Sequence, residues 1–443
     1  MAYRLMSEDQ AIFLPGKTSH GHYQIELDCG ACHTDSFGGG QVLQEACMSC
    51  HGKELKNVDD SHPKSKFTDP RNADRVANLD ARKCVACHVE HKPEITSTMA
   101  VTVPEDVCVY CHMDIAEDRP SHAGMAFDTC ASAGCHNFHD NQGLYEDFLL
   151  KHTDEADVKA EIKVKNRNYR ESIHLISNYP LEAYPLSSLS LAEKDVPSKV
   201  KVDQKVLQEW NVTSHAKAGV NCTACHSEFD KPAQTKKWIN NPDHSVCISC
   251  HEAETEGFLS GKHGMRLKQN MSAMTPAMAR LPMKPFSHDK ELNCTSCHSS
   301  HKFDTRHAAV EACLSCHNDE HSLAYKSSKH YALWYKETNA QAETGSGVSC
   351  TTCHMPRTLY NSGDGNRVIV QHNQNDNLRP NEKMLRTVCM DCHGLGFSID
   401  ALADEGLIKN NFKGRPKQHI KSIDMAKDRI KNKELRQVGE GDK

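Results

Sequence analysis

A mainly α-helical and irregular fold with very little β-structure is what this chain predicts, from three observations. Apolar residues make up only 38% and aromatics only 6% of its 443 residues, too little for a conventional core. Strand-like alternation is scarce, and the sequence between its cysteine motifs is short, polar and turn-rich. All twenty-two cysteines fall in pairs followed at once by a histidine.

Ten pairs have the form C-x-x-C-H: Cys29 and Cys32 before His33, Cys47 and Cys50 before His51, Cys84 and Cys87 before His88, Cys108 and Cys111 before His112, Cys222 and Cys225 before His226, Cys247 and Cys250 before His251, Cys294 and Cys297 before His298, Cys313 and Cys316 before His317, Cys350 and Cys353 before His354, and Cys389 and Cys392 before His393. An eleventh is stretched: Cys130 and Cys135 enclose Ala131, Ser132, Ala133 and Gly134 before His136. Two thiols so placed add across the two vinyl groups of one haem, and the adjacent imidazole falls beneath its iron. The sequence therefore predicts eleven covalently attached c-type haems. Zinc would need two such half-sites to converge and requires no histidine after each. A disulfide framework leaves the histidines unexplained, and a two-residue gap is short for a structural bridge.

Eleven haems leave about 40 residues for each, too few for separate domains. The haems must share walls, with porphyrin faces replacing the missing apolar side chains. The expected architecture is a multihaem cytochrome c: short helices packed around a haem core, largely unfolded without it.

The motifs form two clusters, five from Cys29 to His136 and six from Cys222 to His393, separated by a Cys-free interval of 85 residues. This predicts a five-haem module over 1–150, a helical and extended connector over 151–205, a six-haem module over 206–396 and a helical basic tail over 397–443. In the connector Thr153 can cap a helix with Asp154, Glu155 and Asp157 in its first turn and Val158, Ile162 and Val164 beyond. Pro180, Pro185 and Pro197 then mark an extended stretch from Tyr179 to Val202, able to wrap one module or to bridge two. In the tail, Ser398 can cap a helix through Ile399, Leu402 and Ala403, and Ser422 another with Ile423, Met425, Ala426 and Ile430. Irregular motif spacing excludes a fixed-period solenoid.

The formal charge is -6, and two propionates per haem make the loaded protein more acidic, which argues against nucleic acid as a partner. Lys409 to Lys443 reverses this locally with eleven Lys or Arg against five Asp or Glu: a solvated helix, or a patch for an acidic partner or anionic surface. No stretch approaches the roughly 20 apolar residues of a membrane span. Met1 to Gln10 also lacks a signal-peptide apolar core. Covalent haem attachment takes place outside the cytoplasm, so a periplasmic or extracellular location is expected. A removed leader or anchor is implied, the latter a route to membrane association.

Setting aside the eleven motif histidines leaves eighteen, enough to give every iron a second imidazole. His91, His139 and His301 complete C-H-x-x-H patterns, and His321 follows His317 by four residues. His20, His22, His62, His122, His215, His244, His263, His288, His307 and His330 precede motifs, whereas His152, His174, His372 and His419 are more remote. Each is either a distal ligand or a surface or propionate-bonded group; His372 joins the ligand set on the resemblance described next. The five methionines from Met265 to Met283 could donate a thioether, or simply fill space.

The segments CVACHVEH, Cys84 to His91, and CASAGCHNFH, Cys130 to His139, resemble small low-potential multihaem cytochromes over roughly residues 20–140. SSKHYALWYKE from Ser327, GVSCTTCHMPR from Gly347, VQHNQNDNLRP around His372 and MLRTVCMDCHG ending at Gly394 resemble another group over roughly residues 285–395. They are similar to the carboxy-terminal part of the pentahaem nitrite reductases and the related hydroxylamine oxidoreductase and octahaem reductase group. That resemblance implies His330 near an open distal haem face and His372 as a distal ligand. The C-x-x-C-K motif of the nitrite reductases is absent, although hydroxylamine-oxidising relatives keep C-x-x-C-H. Tyr325, Tyr331 and Arg357 would join His330 in an anion pocket; alternatively His330 ligates an iron and the tyrosines pack on porphyrin edges.

Two functions are compatible with these features. The first is an extracytoplasmic electron-transfer protein whose mainly bis-His haems form a conduit or store between redox partner proteins or extracellular electron acceptors. It could self-assemble into a filament or oligomer, and it has no catalytic residue. The second is an oxidoreductase acting on nitrite, hydroxylamine or a sulfur oxyanion at one open haem.

Overall fold

The computed structural model describes residues 10–35, 39–58, 62–128, 130, 138–139, 146–162, 164–176, 179–230, 234–378 and 383–441. Cys135 and His136 of the stretched motif lie outside them. The longer helices referred to below are α1 (Gly39–Asn57), α2 (Glu146–Lys151), α3 (Gln204–Asn211), α4 (Ser245–Ser260), α5 (Lys329–Thr338), α6 (Leu395–Ala403) and α7 (Ser422–Gly441). Many of the remaining elements are single turns. Sheet is confined, among the described residues, to two antiparallel pairs: β1 (Ser227–Asp230) with β2 (Thr235–Trp238), and β3 (Arg357–Asn361) with β4 (Asn366–Val370). The chain is mainly α and irregular.

Two compact units divide it. One comprises Met1–Glu161, Arg379–Ile408 and Gly414–Lys443; the other comprises Ile162–Leu378 and Lys409–Lys413. The second unit holds the five motifs from Cys222 to His354, and the motif Cys389 to His393 packs with the first. Packing and motif spacing thus divide the chain differently at this motif. The cause is backbone pairing: Lys159 N donates to Cys392 O at 2.8 Å and Gly394 N donates to Ala156 O at 3.0 Å. A side chain on Gly394 would meet Ala156 O at 2.6 Å, so this approach needs glycine.

The same bonds correct one expectation. Among the described residues Thr153 opens no helix over 153–162; its hydroxyl donates back to Leu150 O at 3.2 Å, at the end of α2, and the backbone beyond is drawn to residues 392–394. Likewise α6 starts at Leu395 with Gly394 as its N-cap, and the Ser398 hydroxyl donates to Gly394 O at 2.8 Å from inside the helix instead of capping it. The helix expected from Ser422 forms as α7.

In the first unit a conventional core exists where α2, α6 and α7 meet. Leu149, Leu385, Leu395, Ile399, Ile423 and Ala426 are buried together, with Phe148, Leu402 and Ile420 packed against them. The front of the basic tail is therefore docked on its own unit, and Lys427 pairs with Asp154 at 3.3 Å. By contrast α1, which carries Cys47, Cys50 and His51, buries none of its residues.

In the second unit a smaller core gathers Ala309, Val310, Leu314 and Tyr325, with Trp334 of α5 against it. Asp203 caps α3, whose Leu207 and Trp210 are buried. The proline-rich stretch wraps this unit: Leu186 N and Leu189 N donate to Ala218 O and Ala216 O at 3.2 and 2.9 Å. The polypeptide leaves 27450 Å² accessible, where a folded monomer of 49.5 kDa leaves about 17,000 Å². The chain's own side chains cover too little of it.

Candidate metal centres

Each described motif is one tight turn. His33, His88, His112, His226, His298, His317 and His393 donate their backbone N–H to the carbonyl of the first motif cysteine at 2.8 to 3.0 Å. Two thiols three residues apart then share one side of the turn, with the imidazole next to them. Local capping helps: Asn221, Asn293 and Ser349, each just before a first cysteine, accept from the turn's backbone, and the last two complete capping boxes with Ser296 and Thr352. The motif within α4 is kinked at His251, whose φ/ψ of -118/41 leaves the helical region. None of the described motif cysteines is in a disulfide.

Eight motif histidines face a second imidazole. In the second unit these pairs are His251 with His215, His226 with His301, His317 with His263, His298 with His372 and His354 with His321, with ring centroids 6.1, 5.6, 6.3, 6.2 and 5.9 Å apart. In the first unit they are His51 with His22, His112 with His62 and His88 with His139, at 5.9, 6.1 and 6.4 Å. A metal ion bonded at about 2 Å to a nitrogen on either side, plus the depth of two rings, places centroids about 6 Å apart. Among the described residues no group of three or more His, Cys, Asp or Glu could hold a bare ion. Two imidazoles alone leave a metal under-coordinated. The spacing fits an iron whose other four positions are already filled by a porphyrin, and the adjacent thiol pairs fit its covalent attachment.

Outer contacts orient the rings. Nδ1–H of His88, His226, His372 and His393 donates to the carbonyl oxygens of Ala100, Ile239, Val370 and Asp157 at 3.1, 2.9, 2.8 and 2.7 Å. His62 Nδ1 likewise meets Phe138 O, and His22 and His51 turn Nδ1 toward Glu90 and Glu54 at 2.6 and 3.1 Å. A donated Nδ1 proton leaves the lone pair on Nε2, the atom that ligates. Burial pushes the pKa values of His263, His298 and His354 down to about 4 and lowers that of His215. Neutral imidazole, the ligating form, is thereby favoured.

Every second imidazole in these pairs was legible as a candidate in the sequence. Of the three C-H-x-x-H histidines, His139 and His301 face rings from other motifs; His91 enters none of the pairs, its Nδ1 donating to Gly16 O at 2.7 Å. His20 packs beside Tyr23, and His330 beside Phe412. His122, His244, His288 and His307 enter none of the eight pairs. Of the residues expected around an anion, Tyr325 and Tyr331 are in ring contact at 5.4 Å, but Tyr325 OH donates to Val348 O at 2.8 Å and Arg357 Nη1 donates to Lys165 O at 3.1 Å. Sequence reasoning missed Tyr169, stacked on His251 at 4.9 Å, and Trp238, stacked on His226 at 4.8 Å. The second had a weak signal in the apolar tip of β2.

Two family models match the chain: outer membrane cytochrome MtrC/MtrF-like, domains II/IV, over residues 100–308, and cytochrome c3 over residues 21–113 and 286–362. Multiheme cytochrome MtrA of Shewanella baltica is 24% identical over 169 residues, covering 34% of this chain and 39% of the relative. High-molecular-weight cytochrome c of Nitratidesulfovibrio vulgaris is 25% identical over 281 residues, covering 54% of this chain and 47% of the relative. The chain thus matches less than half the length of either.

Proposed function

Because this chain is a multihaem c-type cytochrome, we propose that it is an extracytoplasmic electron conduit or store holding eleven covalently attached haems. The observation that carries this reading is the set of eight imidazole pairs spaced for an intervening iron. A haem held this way supplies an iron that gains and loses one electron without changing ligands. The chain's part is to fix both imidazoles, to bury them, and to keep the attachment points close together.

Closeness is supported by thiol contacts between consecutive motifs. The side chain of Cys47 lies beside that of Cys84, Cys108 beside Cys130, Cys247 beside Cys294 and Cys313 beside Cys350. In the second unit the Cys222–Cys225 turn packs against α4, which carries Cys247 and Cys250, and the Cys294–Cys297 turn packs against the Glu311–Leu314 turn, which carries Cys313. The five motifs there are therefore neighbours in chain order, an unbroken series of attachment points. The oxidoreductase alternative gains no support from Tyr325 and Arg357, whose polar groups already donate to the backbone acceptors Val348 O and Lys165 O.

On this reading the partners are redox proteins or extracellular acceptors. Location outside the cytoplasm is supported by the outer-membrane cytochrome match, and no helix among the described residues is long and apolar enough to cross a membrane. Haemochrome assay against protein mass is expected to give eleven haems per chain, and low-temperature electron paramagnetic resonance of the oxidised protein a low-spin spectrum dominated by bis-His iron. A high-spin fraction near one iron in eleven, with turnover of nitrite or hydroxylamine, would overturn the pure conduit. Assembly into a filament is the further part of the proposal. Electron microscopy across protein concentrations is expected to show end-to-end assemblies, and isolated particles throughout would remove it.

A further inference from the structure

Inside the second unit, beside the His215–His251 pair, two arginines meet one carboxylate, Arg367 and Glu254 buried and Arg167 partly exposed. Arg367 of β4 has a side chain only 3% exposed, and Glu254 of α4 one 9% exposed. Arg167 Nη2 donates to Glu254 Oε1 at 3.1 Å, and Arg367 Nη1 stands 4.0 Å from the same oxygen, too far for a hydrogen bond. Arg167 lies over the ring of Tyr169 and Arg367 over that of Tyr360, at 5.2 and 5.3 Å to the centroids. Tyr169 in turn stacks on His251 and donates to Cys250 O, which ties the cluster to that motif.

The cluster is unsatisfied. Arg167 Nε, Arg367 Nε and Arg367 Nη1 are buried donors with no partner, and one buried acceptor, Glu254 Oε2, is also without one, so the three donors outnumber it. At most one negative charge answers two positive ones. Buried guanidinium groups are found paired or hydrogen-bonded, and their forked donors match a carboxylate. Water could accept the hydrogen bonds but would leave the charge unbalanced.

We propose that Arg167 and Arg367 together bind a carboxylate, and that this carboxylate is a propionate of the haem anchored at Cys247 and Cys250. The inference rests on the haem reading of that motif. It makes the arginines positioning residues that also set a potential: buried positive charge favours the reduced, less positive iron between His215 and His251.

The test uses the loaded full chain. Arg367→Gln and Arg167→Gln are expected to keep every haem and every low-spin signal while weakening reduction of one centre about tenfold, a fall of about 59 mV for a one-electron couple. Arg367→Lys, which keeps charge but loses the fork, should recover part of that shift. Arg71→Gln, at an exposed site paired with Asp69, should leave all potentials unchanged. Haem content and spin state report on the underlying haem reading, and the single-centre potential reports on the arginines. Unchanged potentials in both glutamine variants would overturn the proposal.

A diffusible oxyanion is the other source of such a carboxylate-like ligand. The wild-type potential is expected to be indifferent to added acetate or nitrite, and a saturable shift with either would reassign the site to a free anion. Should Arg367→Gln fail to load, the structure of the loaded wild type decides: a propionate oxygen within hydrogen-bonding distance of Arg367 Nε supports the assignment, and its absence there overturns it.

Discussion

Produced without haem attachment, the polypeptide is expected to remain largely unfolded, losing most of its helical circular dichroism and nearly all slow amide hydrogen exchange. The chain leaves 27450 Å² accessible against about 17,000 Å² for a folded monomer of its mass, and the missing burial must come from something other than its own side chains. Conformational entropy opposing folding runs to about 1–2 kcal/mol per residue, and only apolar burial on a matching scale offsets it. Helix α1 shows the deficit locally, since none of its residues is buried and it carries a motif. Most helical stability in proteins comes from packing an apolar face, which this helix lacks. The conventional cores are small, and the larger joins Leu149 to Leu385, Leu395 and Ile423, which are far apart in the chain. Closing such loops for so few contacts is unfavourable without a prior scaffold. The measurement is hydrogen exchange and circular dichroism on the chain with all motif cysteines changed to alanine. A cooperative thermal transition with native-like helicity would refute the cofactor-as-core account.

Chemistry with fixed local spacing was readable in the sequence, and chemistry built across distance was not. A cysteine pair followed by histidine needs only one turn, and that turn appears with the same bond from the histidine N–H to the first cysteine carbonyl at His33, His226 and His393. The second imidazoles could be named as candidates, but their partners could not: His139 follows the stretched motif yet faces His88, and His301 follows His298 yet faces His226. His91 shows why spacing alone does not suffice. It shares with His301 both its place in C-H-x-x-H and a left-handed backbone, φ 62 against 65, yet it enters none of the pairs. Helix signals were reliable where the partner was local, as at Ser422. They failed at Thr153, where residues 392–394 compete for the same backbone groups. The Arg167, Glu254 and Arg367 cluster had no sequence signal because its members come from three separate segments, and none has a motif around it.

Replacing His301 by alanine is expected to turn one iron in eleven from low-spin to high-spin and to leave the other ten unchanged. The pair it forms has the shortest centroid distance of the eight, 5.6 Å, with ring planes 8° from parallel; its Nε2 atoms stand 3.4 Å apart, closer than the about 4 Å an intervening iron needs, so loading must part them slightly. Its partner does not depend on it for placement. His226 is held by Nδ1–H donation to Ile239 O at 2.9 Å and by Trp238 stacked at 4.8 Å, so the proximal side should survive the substitution. With one strong-field imidazole gone, only water or an empty position remains opposite it, and the spin state changes completely at that site. Exogenous imidazole is expected to restore the low-spin signal, which a misfolded chain would not allow. His301→Met should instead keep the iron low-spin and raise its potential, because a thioether favours the reduced state relative to imidazole. His307→Ala, an exposed histidine outside the pairs, should change neither. Electron paramagnetic resonance with a redox titration reads all three variants, and a wholly low-spin His301→Ala protein without added imidazole would show that this facing pair does not hold an iron.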